Sequence, residues 1–277
     1  MANIFRALVT RRPSPMLLRG GALRGAPALV CASTHRALSS APAMPGAVPA
    51  LTLEQALTST HIILGELQNP ATMQQLASVR GAGDTLTKWQ QANGILVGAT
   101  LRVLPQLGFS ADGIGLQHYT MAFAERARID SPEVRTKLQE LNASKWSVLL
   151  EHAFGCAPAP PMSLAKAREL AIDIVDALQE PALLRQVEEA RSGLASRLPE
   201  AERQHMVARA LVSVQAEVVQ RHGFDGSAGY AQAQVCLMEH AGDAVVTASV
   251  AAATTQLYAR AGIDLQAALH QAASGMN

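Results

Sequence analysis

Thr52-Leu-Glu-Gln-Ala-Leu-Thr-Ser-Thr-His-Ile-Ile-Leu-Gly-Glu-Leu-Gln-Asn-Pro70 is written again, in altered form, as Ser163-Leu-Ala-Lys-Ala-Arg-Glu-Leu-Ala-Ile-Asp-Ile-Val-Asp-Ala-Leu-Gln-Glu-Pro181. Set over one another at an offset of 111 residues, the stretches agree at Leu53 and Leu164, Ala56 and Ala167, Ile63 and Ile174, and Leu67 and Leu178. They also agree at Gln68 and Gln179 and at Pro70 and Pro181. Each opens on a hydroxyl residue able to accept from the unpaired N–H groups of a first helical turn. Each carries apolar residues three and four apart, the spacing of one helix face. Each stops at a proline, because the residue before proline avoids the helical region. One amphipathic helix is present twice.

The match continues outward. Gln75 and Arg80 answer to Gln186 and Arg191; the offset then becomes 115, where Val103, Gly108, Phe109 and Gln117 answer to Val218, Gly223, Phe224 and Gln232. A four-residue insertion in a loop of the second copy accounts for the change. Chance aligns alanines in alanine-rich helices easily, but it does not supply a shared Leu-Gln-x-Pro and a shared Gly-Phe in the same order. The pattern is that of an internal duplication. It predicts an all-α chain of two tandem, pseudo-symmetric bundles of about four helices each, over residues 51–155 and 163–277.

Within each copy the first helix starts at Thr52 or Ser163 and ends before Pro70 or Pro181. A longer stretch, with Met206, Ala210, Val214 and Val218 at helical spacing, closes at Gly108 or Gly223, where a left-handed residue ends a helix. Phe109 or Phe224 follows, placed to pack back on that helix. Ser110 or Asp225 is expected to cap the third helix. Ser131-Pro132-Glu133 is a strong start for the fourth, with Asp243 or Gly242 doing that work in the second copy. Asp264 would begin a short terminal helix ending near Gly275. Gly155-Cys-Ala-Pro-Ala-Pro-Pro161 reads as a stiff linker, 156–162, between the copies.

Composition agrees with helix. Apolar residues make up 49% and aromatics only 4%, too few for a β-protein of this size. Net charge is +1, but no acid precedes Glu54, while Arg6, Arg11, Arg12, Arg19, Arg24 and Arg36 all do. Setting those six aside leaves 17 of 23 basic residues against all 22 acids, so the body carries about −5. That excludes a basic face for nucleic acid.

Residues 1–38, rich in Arg, Ser and Ala, have the composition of an organellar transit peptide. Ile4, Phe5, Leu8 and Val9 share one helical face with Arg6 and Arg12 off it, and Arg36-Ala37-Leu38 before Ser39 resembles a matrix-processing site. The expected location is the mitochondrial matrix. A plastid address shares the Ser/Arg bias and stays open. Residues 39–50 read as an extended linker. The most apolar stretch, Ala244–Ala259, is too short for a bilayer and is better read as a buried helix, so no membrane insertion is expected.

The opening Leu-x-x-Ala pattern, Val187-Glu-Glu-Ala-Arg191, Gln215-Ala-Glu-Val-Val-Gln-Arg-His-Gly-Phe224, Gly108-Phe109 and Asp130-Ser-Pro-Glu-Val134 together resemble the protein C-ten family of small all-helical proteins. The resemblance covers residues 52–155 and 163–261. This chain departs from the family form in having two units and a leader. The family is without an established catalytic activity, so the resemblance implies an interaction role and brings no catalytic residues with it. The residues it rests on, Pro70, Pro181, Gly108, Gly223, Phe109 and Phe224, are helix ends and packing positions.

No catalytic, cofactor or metal constellation stands out. Gly81-Ala-Gly83 lacks the third glycine of a dinucleotide loop and follows no strand. Gly223, Gly226 and Gly229 end one helix and open the next, where glycine costs little. His61, His118, His152, His205, His222, His240 and His270 include no pair at helical ligand spacing. Cys236 with His240 is the one i, i+4 pair of ligand type, and two ligands do not make a site. Cys31, Cys156 and Cys236 give no disulfide framework. Cys156 in the linker reads as an exposed, oxidisable thiol, and Trp89 and Trp146 as packing anchors of the first copy. The reading is a non-enzymatic interaction module or accessory subunit that binds another protein. The alternative is an enzyme or small-molecule-binding protein with a pocket between the copies, drawing on Gln68, Gln179, Arg80, Arg191 and His222.

Overall fold

The computed structural model describes residues 50–129, 131–192, 195–241 and 243–264, with the side chains of 127–129 left aside. The expected transit leader, most of the expected 39–50 linker, Gly242 and the terminal helix expected after Asp264 lie outside the described residues. Among the described residues every regular element is helical.

The first five helices are α1 (Leu53–Leu67), α2 (Pro70–Val79), α3 (Thr85–Val103), α4 (Gly113–Ile129) and α5 (Pro132–Leu149). The second five are α6 (Leu164–Ala177), α7 (Pro181–Glu189), α8 (Glu200–Arg221), α9 (Gly226–Glu239) and α10 (Ala244–Arg260). Among the described residues each half therefore holds five α-helices, one more than the roughly four expected. Pro70 and Pro181 do end α1 and α6, but each is also the first residue of the next helix. Proline suits that position, since its missing N–H would be unpaired there in any case.

Local chemistry sets the borders. Thr52 and Gln55 form a reciprocal capping box on α1, with the Gln55 N–H donating to Thr52 Oγ1 (3.1 Å) and the Thr52 N–H donating to Gln55 Oε1 (2.9 Å). Ser131, Ser163 and Asp243 cap α5, α6 and α10 with their side chains. Ser110 does not cap α4. Asp112 does, accepting from the Gly115 N–H at 2.7 Å, while Ser110 donates its hydroxyl to the same carboxylate at 2.8 Å. The Gly115 hydrogen bond is the main force holding the Asp112 carboxyl below its ordinary pKa.

The linker at 156–162 does not part the core. One cluster of buried side chains runs from Leu76, Trp89 and Leu150 of the first half to Leu170, Leu211 and Tyr258 of the second. A smaller cluster, with Ile63, Leu104, Phe109 and Tyr119, belongs to the first half alone. The Ala244–Ala259 stretch lies within α10, whose Val250, Thr254 and Tyr258 are fully buried.

Candidate functional site

The repeated Gly-Phe pairs make matching helix ends. Gly108 and Gly223 stand at φ +82° and +87°, a left-handed conformation that any Cβ disfavours. The following amide turns back in each case, Phe109 N–H to the Leu104 carbonyl and Phe224 N–H to the Val219 carbonyl, both at 3.1 Å. Phe109 is buried with its ring edge-on to Tyr119, centroids 5.8 Å apart. Tyr119 in turn shares a hydrogen bond of 3.0 Å with the hydroxyl of buried Ser59. These are packing roles rather than chemistry.

Of the polar residues that a pocket could recruit, Arg80 and His222 are engaged elsewhere, and Gln68 and Gln179 are exposed. Arg80 donates from Nε to the His152 carbonyl (2.8 Å) and from Nη2 to the Glu151 carbonyl (2.6 Å), closing the last turn before Gly155. Arg191 takes the matching place in the second half, its side chain alongside Gly262 after α10. His222 Nε2 lies 2.8 Å from Asp173 Oδ2 on α6. Gln68 is the C-cap of α1, and its own N–H bonds to the Leu64 carbonyl.

Cys236 and His240 prove to be partners of the linker. On one face of α9, Gln232 Nε2 donates to the Ala157 carbonyl (3.0 Å) and Cys236 Sγ to the Pro160 carbonyl (3.3 Å). Nε2 of His240 lies 2.7 Å from the Met162 carbonyl. Burial pushes the Cys236 thiol up to about 11, with the Glu239 carboxylate adding to the shift. Cys156, expected to be exposed, is half-buried, with Sγ 3.6 Å from the Leu150 carbonyl and its pKa raised by burial. A thiol held protonated in this way is a poor nucleophile. No group of three or more metal-ligating side chains occurs among the described residues.

Trp89 joins the halves. It stacks on Trp146 (centroids 6.4 Å apart, planes within 15°), meets Phe154 at 6.2 Å, and receives the edge of Tyr230 from α9 at 6.2 Å. The two tryptophans thus anchor more than the first half. Asp84 and Arg209, 3.0 Å apart, and the hydroxyls of Thr85 and Ser227, also 3.0 Å apart, flank the same junction.

No family model, curated protein or solved structure matches this chain. The resemblance to the protein C-ten family therefore rests on the residues quoted for it, and the surface has to be read by itself.

That surface carries isolated large apolar side chains. On α4, Ile114 is 52% exposed and Met121 42%, two turns apart on one face; on α6 Ile172 is 49% exposed. Single exposed apolar residues are ordinary, whereas two in line on one helix mark a face that something can cover. Inside the second half the opposite oddity occurs. Gln234 is fully buried with neither amide atom hydrogen-bonded, and the hydroxyls of Thr254 and Tyr258 also lack partners. Sequence reasoning missed these groups, because a glutamine in a helix reads as surface until the neighbouring helices are placed. No helix among the described residues is long and apolar enough to cross a membrane.

Proposed function

We propose that this chain is a non-enzymatic helical interaction protein or accessory subunit of the mitochondrial matrix, built from two diverged copies of a unit resembling the protein C-ten family. One observation carries the reading. The side chains best suited to polar chemistry, Arg80, His222, Cys236 and His240, are tied to main-chain carbonyls and a helix partner, while Ile114 and Met121 face outward. Such a molecule offers surface to a partner rather than a prepared reaction centre.

The arginine-rich, acid-free residues 1–38 support import, since a membrane potential draws positive charge inward by roughly 2.3 kcal/mol per charge per 100 mV. A plastid is the alternative destination. The test is quantitative affinity purification of the tagged full chain from isolated mitochondria, followed by sizing. A stoichiometric partner is the expected outcome; a protein that is imported but sediments alone, with no partner recovered, overturns the proposal.

A second reading, binding of a small polar molecule, draws on Gln234, Thr254 and Tyr258, buried polar groups that no protein atom satisfies. A saturable rise in melting temperature with one matrix metabolite would favour it.

A further inference from the structure

Lys145 stands where its helix carries apolar side chains. On α5 it comes seven residues after Leu138 and four before Leu149, and both leucines are buried. Residues at these spacings share one helix face, so the lysine lies in the stripe that holds them. The helix packs on α1 and α4. Lys145 is half-buried, and its ammonium lies 5.8 Å from the centre of the Phe123 ring on α4. Phe123 in turn meets the ring of buried Tyr119 at 6.0 Å.

No acid answers this charge. The neighbours one helical turn away, Leu141, Asn142, Val148 and Leu149, carry none. Among the described residues no carboxylate forms an ion pair with Lys145. The face of one aromatic ring replaces only part of the water that an ammonium loses. The neutral amine suits such a niche better than the cation, and burial lowers the Lys145 pKa to about 8. The chain has three other lysines, Lys88, Lys137 and Lys166, of which Lys137 and Lys166 are exposed.

We propose that Lys145 is a modification site, an amine that takes the acyl group of a short, uncharged acyl thioester. Desolvation among apolar groups is one of the ways in which a lysine becomes a nucleophile. The unprotonated Nζ attacks the thioester carbonyl carbon. A C–N amide bond forms, the C–S bond breaks, the thiolate leaves, and the proton lost by nitrogen passes to it. The product has no charge to keep half-buried, and its acyl group suits the ring of Phe123. An acyl group ending in a carboxylate would bring back a buried charge, so the donor is an uncharged one. The inference goes beyond the interaction role and does not depend on it.

The test incubates the full chain at pH 7.5 with the acetyl thioester of N-acetylcysteamine and follows each lysine by peptide mass spectrometry. At that pH a lysine of pKa near 8 is about one-quarter unprotonated, against roughly one part in a thousand for an ordinary one. Lower basicity returns some of this advantage, so Lys145 should react at least about tenfold faster than Lys137 or Lys166. In concentrated urea the rates should converge. A chain with Lys88→Arg, Lys137→Arg and Lys166→Arg leaves Lys145 as its one lysine. Acetylated there, it should melt at least about 2 °C higher at pH 7 than before treatment. Equal rates for Lys145, Lys137 and Lys166 in the folded chain overturn the inference. So does an advantage that survives in urea, or a melting temperature that fails to rise.

Discussion

Arg80 donates from Nε to the main-chain carbonyl of His152 across 2.8 Å, fastening the end of α2 to the turn that closes α5. The last carbonyls of a helix have no intrahelical donor, and a guanidinium can serve two of them at once while its charge suits the negative end of the helix dipole. Arg80→Ala should therefore cost about 1–2 kcal/mol in urea unfolding. Arg80→Lys should recover less than half of that, because an ammonium lacks the planar fork. Equal stability for Lys and Arg would show that charge alone holds the turn.

The glycines that open α4 and α9 sit close against the residue five positions earlier. A Cβ on Gly115 would lie 1.9 Å from the Ser110 carbonyl oxygen, and one on Gly229 would lie 2.2 Å from the Phe224 carbonyl carbon. Both clashes are with main chain, which cannot step aside as a flexible side chain does. Gly229 is thus required rather than merely tolerated at a helix start. Gly229→Ala and Gly115→Ala should each lose roughly 2–3 kcal/mol. Gly94→Ala, in mid-helix with nothing within 4 Å, should gain about 0.5–1 kcal/mol. Thermal melts of the three variants check the order.

Trp89 couples the two halves through its contact with Tyr230. Removing so large a buried side chain costs about 3–5 kcal/mol. Trp89→Ala should also break cooperativity, because the residue bridges helices on both sides of the linker. The parent should unfold in urea in a single transition, and the variant should show two, or a clearly lower slope. A single transition of unchanged slope would mean that the shared core around Leu76 and Leu170 suffices.

How much of this was legible in the sequence follows from the range of each interaction. Thr52, Ser131, Ser163, Gly108 and Gly223 act within four or five residues of themselves, so the helix borders they set can be read directly. The short α2 and α7, of 10 and 9 residues, were hidden because Pro70 and Pro181 both stop one helix and start the next. The stripe of Gln232, Cys236 and His240 was visible in part, as a pair of ligand type. Its partners are carbonyls of 157, 160 and 162, more than seventy positions away in the chain, and a carbonyl has no letter in a sequence. The meeting of Trp89 with Tyr230 is equally non-local.

Lys145 gives the fold a pH dependence. Its ammonium lies 5.8 Å from the centre of the Phe123 ring, and burial lowers its pKa from 10.5 to about 8. The unfolded chain keeps this proton up to its ordinary pKa, whereas the folded chain releases it earlier. Between those values the folded state binds fewer protons, so stability rises with pH, by at most about 1.4 kcal/mol per unit. Below about pH 8 the folded state carries the full penalty of the buried charge. The window closes near pH 9, where an unfolded Cys236 thiol would ionise while the folded one, at about 11, would not, which favours unfolding. Urea midpoints should therefore rise by the equivalent of roughly 1 kcal/mol between pH 7.5 and 9. Lys145→Met should abolish the slope and be the more stable protein at pH 7; a parent profile as flat as the variant's would refute the shift.

Gln234 offers the sharpest test of what fills the second half. Its side chain is fully buried on α9 with donor and acceptor both unmet, and the hydroxyls of Thr254 and Tyr258 on α10 share that condition. A buried amide left without partners costs about 1–3 kcal/mol, whereas an apolar side chain of similar volume costs nothing of the kind. If the helices close on these groups dry, Gln234→Met keeps the volume and removes the penalty, raising stability by about 1–2 kcal/mol. If a polar guest satisfies the amide in solution, the same substitution strips that guest of its partner and lowers stability. The expected sign is a gain, because neither polar atom of the buried carboxamide meets a hydrogen-bond partner. A loss, accompanied by disappearance of any metabolite-induced rise in melting temperature, would transfer the weight of the functional reading from a protein partner to a small polar ligand.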